Sequence, residues 1–499
     1  MGTGAAALVA AALAVVVVTR LWTVLVHLVW RPYAVARAFA RQGVRGPPYR
    51  VFAMRAATSC DTLDLTSHDY IPRVDVALRY DMVKRVLFDK SGLYGKTDPG
   101  PTILSLMGMG LVFTDGDDWS RHRRVVHPAF AMDKLKSMTG AMAACAAEVI
   151  RGWEARAAAS ASGDGVVTVE VRQQFTELTA DVISHTAFGS SYRQGKEVFL
   201  AQRDLQFIAF ASIDNVRVPG MQYVPTKANV RRWQLERTVR GTLMAIIGER
   251  LAAAKEARGY GSDLLGLMLE ANAAGDDGKG QQQAMSMDEI IDECKTFFFA
   301  GHDTTSHLLT WAMFLLGTHP EWQQRLREEV IRECGGAEVP LRGDALNKLK
   351  LVTVVLYETL RLYGAAPMIA RQPTADADLC GVKVPKGTLL LIPIAMLHRD
   401  EEVWGADAGA FNPLRFWDGV GRAAAHPNAL LSFSLGPRSC IGQDFAMLEA
   451  KATLALILRR FAFEVALEYV HAPADFLTLQ PSKGLPVVLR LLDPHTLAS

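Results

Sequence analysis

Cys440 stands between two glycines in the run Phe433-Ser434-Leu435-Gly436-Pro437-Arg438-Ser439-Cys440-Ile441-Gly442, just ahead of a helical pattern that opens near Gln443. A thiolate at a helix N-terminus meets unpaired backbone N–H groups and the positive end of the helix dipole, and both favour the anion. Gly436 and Gly442 permit the tight backbone that turns those amides toward sulfur. Arg438, two residues before the cysteine, reaches an anionic group beside it. Sulfur for an iron and a guanidinium for a propionate is a donor set that suits haem.

A second segment, Phe297-Phe298-Phe299-Ala300-Gly301-His302-Asp303-Thr304-Thr305, lies inside a long apolar helical pattern. Glycine costs a helix interior about 1 kcal/mol relative to alanine, and Asp-Thr-Thr adds polar groups to an apolar setting. Local conflicts of this kind mark functional positions. A threonine hydroxyl that bonds the carbonyl of the preceding turn is expected to open the helix locally. The result would be a polar notch for dioxygen and water, with Asp303 and Thr304 passing protons as general acids.

Two further groupings support this chemistry. Trp119 and Arg123 lie one helical turn apart, and an indole N–H and a guanidinium both donate to a carboxylate. Glu358 and Arg361 sit at i and i+3 among leucines, which points to a partly buried ion pair. Arg121, Arg124, Lys134 and Lys136 read as a solvated basic face that steers an acidic electron donor.

The run 433–442 resembles the haem-ligand loop of the cytochrome P450 family, F-x-x-G-x-R-x-C-x-G, at every fixed position. Residues 300–305 resemble that family's A/G-G-x-D/E-T-T groove, Trp119 to Arg123 its W-x-x-x-R, and Glu358 to Arg361 its E-x-x-R with Arg415 as the downstream partner. The resemblance implies a mainly α fold with small β-sheets (α+β), haem b with Cys440 as the iron ligand, and Phe433, Gly436, Ala300 and Gly301 around it. It also implies propionate contacts from Trp119, Arg123 and Arg438, with Arg371 a weaker candidate. Catalysis would fall to Asp303 and Thr304, and Glu358, Arg361 and Arg415 would be structural. Leu414 stands where the family's common form has glutamate. The chain carries no G-x-G-x-x-G flavin signature, so electrons from NADPH would arrive through NADPH–cytochrome P450 reductase. The stretches Gly110 to Trp119 and His127 to Phe130 look like plant members of clan 72, which oxidise fatty acids, terpenoids and plant hormones. A small lipophilic substrate is therefore expected, with walls from residues 96–111, 206–224, 297–304, 365–369 and 476–479.

The elements that must hold these groups read as mostly helical. Helices are expected over Asp81–Phe88, Asp117–Arg124, Glu177–Phe188, Asn229–Ala257, Ser286–Gly317, Pro320–Cys334, Leu349–Tyr363 and Gln443–Phe461. Ser286 followed by Glu289 spells a capping box. Short strands are expected at Gly381–Val384, Thr388–Pro393 and Leu485–Leu491, and a polar loop over 272–283.

The chain has 499 residues, half of them hydrophobic, and a formal net charge of +2. No linker divides it after Pro48, so residues 51–499 read as one haem-binding catalytic domain. The mild charge gives no reason to expect nucleic acid. Six scattered cysteines without C-x-x-C spacing argue against zinc sites and a disulfide framework. Residues 1–30 are apolar except around Arg20 and His27, and residues 31–50 are basic and end in Gly46-Pro47-Pro48. They read as a single-pass anchor and a hinge, which would place the protein in the endoplasmic reticulum membrane with its catalytic domain in the cytosol. Only Asp75 to Arg79 remain where family members carry two strands and a turn. A trimmed sheet with an unpaired edge is expected there. This keeps open an inactive or non-oxygenase haem protein of the same fold. An oxygen-independent isomerase or dehydratase that rearranges a hydroperoxide is a further reading, and Asp303-Thr304 argues against it.

Overall fold

The computed structural model describes residues 30–42, 76–77, 79–160, 164–189, 192–213, 220–256, 259–274, 284–336 and 339–492, with scattered positions between 11 and 26. The longer helices are α1 (Arg31–Ala40), α2 (Tyr80–Leu87), α3 (Gly100–Met107), α4 (Gly116–Val126), α5 (Met132–Ala158), α6 (Val171–Phe188) and α7 (Tyr192–Ile213). They continue with α8 (Lys227–Lys255), α9 (Leu264–Ala274), α10 (Met287–Thr318), α11 (Pro320–Cys334), α12 (Lys350–Tyr363) and α13 (Gln443–Arg460). The eight expected helices are all present; α11 has the expected ends and the other seven differ at one or both.

The main core gathers α5, α6, α10 and α13 around residues such as Trp153, Phe175, Phe298 and Phe461. Helix α10 is buried on most of its circumference. Its start carries the expected capping box: Ser286 Oγ accepts from the Glu289 N–H, and Glu289 accepts from the Ser286 N–H at 2.7 Å. Of the expected polar loop 272–283, the first three residues belong to α9 and the rest lie outside the described residues. Asn272 accepts from the Met285 N–H at 2.6 Å and donates to the Met285 carbonyl at 3.2 Å.

The strands are β1 (Val76–Ala77), β2 (Tyr94–Gly95), β3 (Val166–Glu170), β4 (Ile369–Pro373), β5 (Ala377–Leu379), β6 (Val382–Val384), β7 (Leu390–Ile392), β8 (Phe461–Val465), β9 (Pro473–Asp475), β10 (Leu479–Pro481) and β11 (Pro486–Leu491). Among the described residues they form a four-stranded sheet in the order β1-β7-β4-β2, a three-stranded sheet β3-β11-β8, and two hairpins. The sheets are therefore not only late in the chain: β1, β2 and β3 all lie before residue 171. The shortened segment keeps one strand, β1, parallel to β7 with Val76 opposite Leu390. β7 is paired on both sides and its three residues are buried. The remnant β1 stands at the edge of its sheet and covers β7, and nothing among the described residues favours the inactive reading.

Among the described residues no helix is long and apolar enough to cross a membrane. Most of the expected anchor 1–30, and all of the Gly46-Pro47-Pro48 hinge, lie outside the described residues.

The Glu358–Arg361 pair on α12 is fully buried, deeper than expected. Arg361 Nε and Nη2 donate to the two Glu358 oxygens at 2.7 and 2.8 Å, and Arg415 Nε joins at 3.2 Å. Arg361 Nη1 also reaches the carbonyls of His398 and Ala408 at 2.7 and 2.5 Å. Leu414 is 46% exposed, which explains why losing the family's glutamate there leaves the network whole. His398 links this network to the segment leading into the cysteine loop. Its Nε2 accepts from the Leu431 N–H at 2.9 Å, so the proton sits on Nδ1, which donates to the Arg361 carbonyl at 3.0 Å. Ser432 Oγ adds a bond to the Leu360 carbonyl at 2.9 Å.

Burial holds the His398 pKa down at about 3, against an ordinary value of 6.5. Below the ordinary value the unfolded chain takes up a proton that the folded one refuses, so this residue removes stability as pH falls from 6.5 toward 3. At pH 5 the loss is about 2 kcal/mol. Urea unfolding at pH 7 and pH 5 should show His398→Gln losing less stability between the two pH values than the wild type does. Equal losses would contradict the assignment.

Candidate functional site

The cysteine loop is closed by the Cys440 N–H donating to the Phe433 carbonyl at 2.8 Å. Two of its residues adopt left-handed backbone, Ser434 (φ 58) and Gly436 (φ 72). A Cβ on Gly436 would collide with the carbonyl of Leu87 at the end of α2. Gly442 has an ordinary φ of −88 and precedes α13 directly. An added Cβ would make only ordinary contacts there, 3.8 Å from Phe130 Cε1 and 4.0 Å from Cys440 Sγ, so the described residues do not require glycine at this position.

Cys440 is accessible, and yet surrounding protein desolvates it enough to push its thiol pKa up. The two facts agree if the sulfur faces an interior hollow rather than the outer surface. The Gly442 amide and the Arg123 guanidinium act the other way and favour the thiolate. The expected amide donor at the helix start is therefore present.

Helix α10 supplies the facing wall. Phe297, Ala300, Gly301 and Thr304 are half-buried, while Phe298, Phe299, His302, Asp303 and Thr305 are buried. At spacings of three and four, the first set forms one open stripe on an otherwise enclosed helix. Phe130 joins the two walls, touching Phe297 with ring centroids 5.8 Å apart and lying beside Gly442.

Thr304 Oγ1 donates to the Ala300 carbonyl at 2.7 Å, as expected. The helix does not open there: α10 runs unbroken from Met287 to Thr318. Gly301 serves packing instead, since a Cβ there would stand 2.8 Å from Ile183 Cδ1 on α6. Asp303 does not share the stripe with Thr304. Its Oδ2 accepts from Thr478 Oγ1 at 2.6 Å and from Gln206 Nε2 at 3.4 Å, with His307 Nδ1 at 3.8 Å. Asp303 thus ties α7 and the turn before β10 to α10.

Cations gather at the other rim. Arg438 stacks over the Trp119 ring at 4.6 Å, pairs with Asp115 at 2.5 Å and donates to the Thr114 carbonyl at 2.7 Å. Arg123 Nη1 donates to the Ser439 carbonyl at 3.2 Å. Arg371 and Lys96 complete the group. Burial, with Arg371 and Arg438 nearby, lowers Lys96 to about 7, and burial beside Arg438 lowers Arg371 to about 10. Asp115 is the carboxylate that Lys96, Arg371 and Arg438 sense, while Arg123 senses the Cys440 sulfur. Excess buried positive charge of this kind fits a cofactor bearing two carboxylates. The sequence marks Lys96 only as part of a pocket wall, because a lone lysine carries no spacing signal.

Arg121 is not part of a solvated face. It bonds Glu289 at 2.6 and 3.0 Å and Asp118 at 2.9 Å. Arg124 and Lys134 are exposed as expected, and Lys136 pairs with Asp344 at 2.8 Å.

A thiolate loop, a facing threonine stripe and a cationic rim define a haem-thiolate protein class. A family model described as Cytochrome P450 matches residues 68–486. The chain is 40% identical to Cytochrome P450 709B1 of Arabidopsis thaliana over 95% of this chain and 96% of that protein. It is 40% identical to Cytochrome P450 734A6 of Oryza sativa subsp. japonica, over 94% and 93% of the two chains. Against Cytochrome P450 CYP72A616 of Paris polyphylla the identity is 38%, over 93% and 94%. The chain belongs to the cytochrome P450 family and is a monooxygenase whose cofactor is haem iron.

Alanine at position 436 must adopt a left-handed φ and push against the Leu87 carbonyl. Gly436→Ala should lose about 1–3 kcal/mol and yield less haem-loaded protein, read by denaturant unfolding and by the haem absorbance of purified material. Wild-type values for both would contradict the account.

Proposed function

We propose that the chain inserts one oxygen atom from O2 into a lipophilic small molecule, using electrons from NADPH passed on by NADPH–cytochrome P450 reductase. The observation that carries this reading is the enclosed Cys440 sulfur beside a rim of desolvated cations. Bound haem supplies the activation of O2 and the transfer of one of its atoms to a C–H bond, chemistry that an electron-rich thiolate favours.

Cys440 holds the iron, with the Gly442 amide steadying the sulfur charge. Arg438, Arg123, Arg371, Lys96 and the Trp119 indole hold the propionates. Phe433 closes the loop through its carbonyl, and Gly436 lets the loop approach α2. Ala300 keeps the facing stripe low, and Gly301 lets α10 close against Ile183 of α6. Thr304 would be the proton donor at the stripe: its hydroxyl, which donates to the Ala300 carbonyl at 2.7 Å, holds a proton on that side of α10. Asp303, the second group read as a general acid, is buried behind Thr304, where its Oδ2 accepts from Thr478 and Gln206.

The substrate walls are apolar. Phe210 on α7 and Phe476 in the turn before β10 lie with ring centroids 4.3 Å apart, and Ile103, Leu104 and Met107 line α3. These surfaces suit a fatty acid, a terpenoid or a plant hormone. Residues 1–30 anchor the chain in the endoplasmic reticulum membrane, with the catalytic domain in the cytosol.

The test is the spectrum of the reduced protein under carbon monoxide. The wild type should give the red-shifted thiolate band and Cys440→Ser should lose it. Thr304→Ala should keep the band but consume NADPH with about tenfold or more loss of product per electron pair. Coupled turnover in Thr304→Ala would overturn the proton role. Spectral shifts on adding fatty acids, terpenoids or plant hormones then identify the substrate class.

A further inference from the structure

His122 lies between Trp119 and Arg123 on α4, but its side chain enters the junction with α10. The residue is 1% exposed. Nδ1 stands 2.6 Å from Glu293 Oε1, and Nε2 stands 3.3 Å from Glu289 Oε1. With both carboxylates ionised, neutral imidazole has one N–H and leaves one of these contacts as two facing acceptors. Imidazolium donates in both directions. Burial works to lower its pKa, and the two carboxylates overcome that and hold it above its ordinary value.

The carboxylates are themselves fixed. Glu289 accepts from Arg121 at 2.6 and 3.0 Å and from the Ser286 N–H at 2.7 Å. Glu293 is fully buried and abuts the loop that follows α3. A Cβ on Gly110 would stand 3.0 Å from Glu293 Oε2 and would collide with Thr296 Oγ1. Thr296 Oγ1 donates to the Met107 carbonyl at 2.7 Å, and the Met109 N–H donates to Asp292 Oδ2 at 2.9 Å. One surface of α10 therefore holds both α4 and the 107–111 stretch that walls the substrate hollow.

We propose that His122 is a positioning residue for the cofactor: bridging Glu289 and Glu293, it fixes α4 on α10, aims Trp119 and Arg123 at the haem propionates, and ties that grip to the 107–111 wall. Trp119 is three residues before His122 and Arg123 one after, so a rotation or slide of α4 moves both donors together. Cation and geometry are both required. Glutamine at 122 is neutral and reaches one carboxylate, whereas lysine restores the charge.

This inference rests on the haem reading of the site, and the experiment separates the two. Haem-loaded wild type, His122→Gln, His122→Lys and the exposed control Arg124→Ala are compared by the rate of haem transfer to apomyoglobin. The propionate bending band in resonance Raman is recorded for each. His122→Gln should release haem about tenfold faster with a shifted propionate band, His122→Lys should return toward wild type, and Arg124→Ala should match wild type. If His122→Gln loses thermal stability while release rate and band stay at wild-type values, the role is merely structural and the proposal is overturned. Equal behaviour of the Gln and Lys variants overturns it too. A wild-type chain that takes up no haem removes the reading beneath it instead.

Discussion

Charge without compensation is the constraint around which this molecule is arranged. Lys96, Arg123, Arg371 and Arg438 are each desolvated enough to lower their pKa values, and Asp115 is the carboxylate set among them. Buried ions cost several kcal/mol apiece unless paired. On the neighbouring wall, burial opposes a sulfur anion at Cys440. Each burden is relieved by the other side of one cofactor: two carboxylates for the cations, and a metal for the sulfur. The protein alone leaves both unpaid.

The rest of the fold keeps those groups from relaxing away. The cysteine loop carries left-handed backbone at Ser434 and Gly436, and such strain persists only where the surroundings over-determine it. Behind the loop, Glu358, Arg361 and Arg415 form a buried network. His398, neutral and bonded at both ring nitrogens, carries its position to Leu431. In front, α2 presses its last carbonyl against Gly436. Helix α10 supplies the opposite wall, and its position is set from outside by Ile183 and from its start by the Ser286 cap.

Much of this was legible because it is local. The run 433–442, the 300–305 segment and the Glu358–Arg361 pair each carry their chemistry within ten residues. The eight expected helices follow from periodicity over one or more turns. What escaped depends on partners far away in the chain. Arg121 reads as solvated because Glu289 is 168 residues distant. Asp303 reads as facing the notch because Thr478, which holds it aside, is 175 residues on. β1 and β2 have two residues each and exist only through their pairing with β7 and β4. The shortened segment looked damaging for the same reason, since the strand that it still covers comes more than three hundred residues later.

The central claim is that the Cys440 sulfur binds the iron. Iron K-edge X-ray absorption on the purified, haem-loaded protein addresses it without any turnover. The account predicts one sulfur neighbour per iron in the wild type and none in a variant with Cys440 replaced by serine. An iron shell of nitrogen and oxygen alone in the wild type, or a sulfur neighbour that survives the replacement, would contradict it.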